Sequence, residues 1–132
     1  MGGLISLYAI CEYPQVFGGA GCLSTHWPIA HKPFNAYLKA RLPEPGQHKI
    51  YLDYGNEANC AGYRVSQKRV ERILKDSGYE FGLNWLGNWY AGDPHSERAW
   101  RARVRTPLRF LLKKDQRRSE TTVTAKGGVR AF

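Results

Sequence analysis

Histidine is the side chain whose ordinary titration range spans neutral pH, so a histidine among short polar residues is the first place to look for proton transfer. Of the four histidines, His95 stands in such a setting, Gly92-Asp93-Pro94-His95-Ser96-Glu97. It could serve as general base toward a hydroxyl and then as general acid toward a leaving alkoxide; the plainer reading is a surface or helix-capping residue. Ser24 offers a hydroxyl, but its surroundings lack the sharp strand-to-helix turn that presents a nucleophile, and a pocket wall or strand terminus accounts for it better. Cys22, His26 and His31 show the spacing C-x3-H-x4-H. With no second pair in register and two prolines in the same stretch, they do not make a zinc site, and neither metal nor cofactor is expected.

Such residues need elements to hold them. Leu4, Leu7, Tyr8 and Cys11 recur at helical spacing, and Pro14 stops the segment, which predicts an opening helix. Val16 to Ser24, rich in small residues, reads as a buried strand. His26 to Pro33 reads as a loop, and Phe34, Tyr37, Leu38 and Leu42 give a short helical face that Pro43-Glu44-Pro45-Gly46 ends. His48 to Tyr54 is the clearest strand. Tyr63, Val70, Ile73 and Leu74 mark an amphipathic helix to about Ser77, with Gly78 at the C-cap position. Tyr79 to Tyr90 holds another strand and Ala91 to His95 a loop. Ser96-Glu97 opens a last helix with Trp100, Val104, Leu108 and Leu111 on one side, bent or restarted at Pro107.

Alternating helices and strands predict an α/β fold, a mostly parallel sheet flanked by helices. In such sheets ligand chemistry gathers at the carboxyl ends of the strands. Ser24 to Trp27, Asp53 to Cys60 and Ala91 to Ser96 would then share one edge.

Composition narrows the class. The 132 residues, 42% hydrophobic and 23% charged, suit one folded domain or a piece of a larger one. The formal charge of +9 attracts anions in general and names no partner. About half of it lies between Lys113 and Phe132, a stretch without interleaved aromatics before Phe132, so residues 113–132 are expected to be a disordered, solubilising tail with no specific nucleic-acid role. Three cysteines in no C-x-x-C pair point to a reducing, cytoplasmic setting. The opening apolar run breaks at Glu12 and Pro14, well short of the roughly 20 residues that span a bilayer, and neither a signal peptide nor a membrane partner is expected.

Four blocks then carry a resemblance. Met1-Gly2-Gly3-Leu4 leading into a helix looks like the second half of a nucleophile elbow, G-x-S-M-G-G. Ile50-Tyr51-Leu52-Asp53-Tyr54-Gly55 follows, then Gly92-Asp93-Pro94-His95-Ser96-Glu97-Arg98-Ala99-Trp100-Arg101 and Pro107-Leu108-Arg109-Phe110-Leu111-Leu112. In this order they resemble the C-terminal half of the α/β-hydrolase esterases related to enterochelin esterases and esterase D, over residues 1–112.

The resemblance implies a serine carboxylic-ester hydrolase whose catalytic histidine is His95. It places the nucleophilic serine just ahead of Met1, so the chain reads as a fragment inactive on its own. Met1 would carry half of the oxyanion hole on its backbone nitrogen. The family's acid belongs to the loop after the strand ending at Tyr54, where the pattern G-T-E-T-L-D-A-x-Y has Cys60 in the aspartate position; Glu57 and Asp53 are the remaining candidates. Trp27, with Trp85 and Trp89, could line a substrate pocket or belong to the core. The implied partner is a small-molecule ester, with self-association possible through the exposed sheet edge. The competing reading is a non-catalytic binding module whose basic surface takes an anionic partner.

Overall fold

A computed structural model of the chain describes residues 1–27, 31–55 and 61–113. Helix α1 (Gly2–Glu12) leads to strand β1 (Gly19–Leu23), helix α2 (His31–Arg41), strand β2 (Lys49–Tyr54), helix α3 (Ala61–Asp76), strand β3 (Trp85–Trp89), and helices α4 (Glu97–Arg103) and α5 (Arg105–Leu112). The three strands form one parallel sheet in the order β1-β2-β3. The expected α/β class, a small parallel sheet flanked by helices, is what the structure has.

β2 is the central strand and is buried throughout. Its side chains alternate across the sheet. Ile50 and Leu52 enter a core shared with Leu4, Leu7 and Ile10 of α1, Leu38 of α2, and Val70, Ile73 and Leu74 of α3. Each fully buried aliphatic side chain here contributes roughly 1.5–3 kcal/mol. Tyr51 and Asp53 point to the opposite face, where α5 packs on β2 and β1.

Helix α1 rides close on β1. A Cβ at Gly3 would sit 1.8 Å from Thr25 Oγ1 and 3.2 Å from the Cα of Cys22, so only glycine permits this approach. The Cys22 thiol donates to the Gly3 carbonyl oxygen at 3.2 Å. On the other face Leu111 of α5 lies across Gly19 and Gly21, which explains why β1 is built of small residues.

The strands at either end of the sheet are shorter than the sequence suggests: Val16 and Phe17 are exposed in the approach to β1, and ahead of β3 Phe81 forms an isolated bridge to Trp85 with a turn at 82–84 between them. α2 begins at His31 rather than Phe34, because Pro33 fits the first helical turn, whose N–H groups have no intrahelical acceptor. The final helix does restart, at Arg105, two residues before Pro107. Its inward face differs from the expected one: Ala99, Arg103 and Pro107 are buried, while Val104 and Leu108 are exposed. Among the described residues no helix is long and apolar enough to cross a membrane. The tail from 114 onward, and Glu57 and Cys60, lie outside the described residues.

Candidate functional site

Parallel pairing sends Leu23, Tyr54 and Trp89 to the same edge of the sheet. Ser24, Gly55 and the 90–96 loop leave the strands there, and the first turn of α1 reaches the same edge through the Gly3 contact with Thr25.

The 90–96 loop delivers His95, which is exposed. Its imidazole stands edge-on to Trp100, with ring centroids 4.9 Å apart, and edge-on to Tyr63 of α3 at 6.3 Å. Tyr63 in turn shares a short hydrogen bond with His26 Nδ1, and those two rings are 5.2 Å apart. His26 directly follows Thr25, so an aromatic relay of His26, Tyr63 and His95 crosses the edge from β1 to β3. Among the described residues the exposed His95 ring has these ring contacts and no hydrogen-bond partner. Ser96 caps α4 immediately after it, accepting from the Ala99 backbone N–H at 3.4 Å.

Asp53 takes a different place. Its carboxylate is fully buried and accepts from Arg103 Nε at 3.1 Å and Nη2 at 3.0 Å, from the Tyr51 hydroxyl at 3.0 Å and from the Ser24 backbone N–H at 2.9 Å. None of its hydrogen bonds goes to His95. Arg103 reaches on to Asp93 (Nη1 to Oδ2, 2.7 Å) and to the Ser24 hydroxyl oxygen (2.7 Å), and its guanidinium lies 4.7 Å from the Tyr90 ring centre. Burial alone would lower the Arg103 pKa, but hydrogen bonds to and charges on Asp53 and Asp93 outweigh it and hold the group above its usual value. Burial, with the Tyr90 hydrogen bond, raises the Tyr51 phenol, so it is a neutral donor to Asp53.

Ser24 sits at φ +45°, the left-handed region that costs a non-glycine residue energy. Two hydrogen bonds repay the strain: its N–H points at Asp53 and its hydroxyl oxygen accepts from Arg103. The hydroxyl is buried in this cluster.

The remaining expected residues are dispersed. Met1 is the N-cap of α1, exposed, with its carbonyl accepting from the Leu4 and Ile5 N–H groups. Trp27 is buried in the core and tilted against Phe34; Trp85 is buried at the start of β3 and Trp89 is exposed at its end. The Cys22 thiol is pushed up to about 12 by burial and by the nearby Asp53 charge, and stays protonated at neutral pH.

Arg103 and Tyr63 are the residues that sequence reasoning missed. The signal for Arg103 was indirect: Asp53, buried near the end of β2, requires a buried counter-charge, and Arg103 shares a helical face with Ala99 and Pro107.

No family model matches the chain, and no solved structure matches it. Among curated proteins it is similar to an uncharacterised protein, YbbA, of Bacillus subtilis (strain 168), with 26% identity over 85 residues. That match takes in 60% of this chain and 33% of YbbA, so the chain spans about a third of the relative it resembles.

Proposed function

We propose that residues 1–112 are the C-terminal half of an α/β-hydrolase of the esterase type, with His95 as the imidazole of a serine-hydrolase site acting on a small carboxylic ester. The observation that supports this reading is the shared carboxyl edge: the start of α1, where Gly3 packs against Thr25 just past β1, and the His95 loop, which follows β3, lie at the same edge of the sheet though far apart in sequence.

In this reading a serine just ahead of α1 attacks the ester carbonyl. His95 takes its proton and returns it to the departing alkoxide. The backbone nitrogen of Met1, an amide within a longer protein, supplies half of the oxyanion hole. Asp53, saturated by Arg103, Tyr51 and Ser24, is the weaker of the two candidate acids, and Glu57 is preferred as the carboxylate that orients His95. Cytoplasmic residence fits the free thiols of Cys11 and Cys22.

Hydrolysis of a p-nitrophenyl ester by this chain, and by a version extended at its N-terminus with the half that this reading requires, tests the proposal. Turnover is expected from the extended protein alone. An extended protein that carries the elbow serine, folds and still hydrolyses no ester contradicts it.

A second reading rests on α3, whose exposed side carries Arg64, Lys68, Arg69, Arg72 and Lys75. A binding module would use that side for an anionic partner. Polyanion binding that weakens steeply with salt favours it.

A further inference from the structure

We infer that Arg103 is a positioning residue for His95: through Asp93 its guanidinium ties the loop carrying the imidazole to the carboxyl ends of β1 and β2. The relevance to ester hydrolysis rests on the reading above, while the tether itself does not.

Three chain segments meet one planar group. Arg103 spends Nε and Nη2 on Asp53 at the end of β2, Nη2 also on Ser24 just past β1, and Nη1 on Asp93 in the loop. Only arginine has enough donors in a fixed fork to do this; a lysine ammonium could not span the same acceptors. A single residue, Pro94, separates Asp93 from His95, and its ring fixes one of the few backbone torsions between them. Fixing Asp93 therefore fixes the Cα of His95 closely. Beyond that point, among the described residues, the rings of Trp100 and Tyr63 are what contact the imidazole.

A second tie acts at the backbone. A Cβ on Gly55 would lie 2.1 Å from the Asp93 carbonyl oxygen, so the loop rests directly on the chain leaving β2. Burying a guanidinium between carboxylates costs desolvation that an apolar cluster would avoid. What the charged cluster supplies instead is a single location for the loop.

Two-dimensional NMR of the full chain tests the tether without any need for activity. In the parent chain His95 ring protons should show cross-peaks to the Trp100 and Tyr63 rings and ring-current shifts away from free histidine. Asp93→Ala, which leaves the Arg103 pair with Asp53 in place, is expected to at least halve those cross-peaks and move the His95 shifts toward free histidine. Asp93→Asn, still able to accept from Nη1, is expected to restore them. Unchanged His95 signals in Asp93→Ala overturn the inference, and so does general loss of the α3 and β2 amide pattern, because the contact would then hold the fold as a whole. In the extended protein Asp93→Ala should lower kcat about 10- to 100-fold with little change in KM, the signature of a misplaced catalytic group. An inactive extended parent would count against the hydrolase reading and leave the NMR result standing.

Discussion

Arg103 and Asp53 form a two-point ion pair across 50 residues of sequence, Nε to Oδ2 at 3.1 Å and Nη2 to Oδ1 at 3.0 Å, with both side chains withdrawn from water. Each is the other's main reason for being buried. Removing one partner strands a charge in the interior, whereas removing both does not. Arg103→Met or Asp53→Leu alone should therefore lose about 3–5 kcal/mol of stability in urea titration, and the double variant should lose less than either single one. Losses in the singles that simply add in the double would contradict a direct pair.

Gly3 sets the distance between α1 and β1. Gly3→Ala forces a methyl into the Thr25 side chain and should cost about 1–3 kcal/mol, read as a fall in Tm. Gly2→Ala, with open space at the same helix end, should leave Tm unchanged or slightly raised.

The two buried thiols predict an alkaline weakness. Burial, followed by the Glu12 charge, lifts Cys11 to about 11, and Cys22 reaches about 12, against 9.0 for a free thiol. Above pH 9 the unfolded chain releases these protons while the folded chain keeps them. Their contribution is therefore complete below pH 9 and disappears as pH rises through 11 to 12. Denaturation midpoints should fall across that window, and Cys22→Ala should flatten the decline.

β1 pairs with β2 and with no other strand among the described residues. Beside its open edge α1 is apolar on nearly every side, with Ile5 60% and Tyr8 42% exposed, and α5 exposes Leu108 and Leu112. An open edge flanked by apolar side chains favours association. Sedimentation should show self-association that rises with concentration and that Ile5→Lys reduces. A cooperatively melting monomer at high concentration would contradict this.

How much of the molecule was legible in its residues varies with how local each signal is. The buried run of β2 and the amphipathic α3, with Gly78 at φ +85° closing it, are local patterns and were readable as such. The turn carrying His95 was readable because it follows the last strand and because Ser96 caps the next helix. The inward face of α4 and α5 was misassigned for a physical reason: Val104 has a core side chain and Arg103 a surface one by type, yet Arg103 is the buried residue. Its partners Asp53 and Asp93 are remote in sequence, and no local periodicity reports such a pair. Tyr63 was legible only as part of the α3 face, for the same reason: His26 and His95 approach it from two other elements. Trp27 was open to two readings, and its ring lies in the core.

The role of His95 is the centre of this account, and the decisive number is kcat/KM for p-nitrophenyl ester hydrolysis by the extended protein with and without His95→Ala. Loss of general acid–base catalysis alone should lower it about 100- to 10,000-fold while the fold persists. Activity that survives His95→Ala within a few-fold would remove the imidazole from the chemistry and the proposal with it.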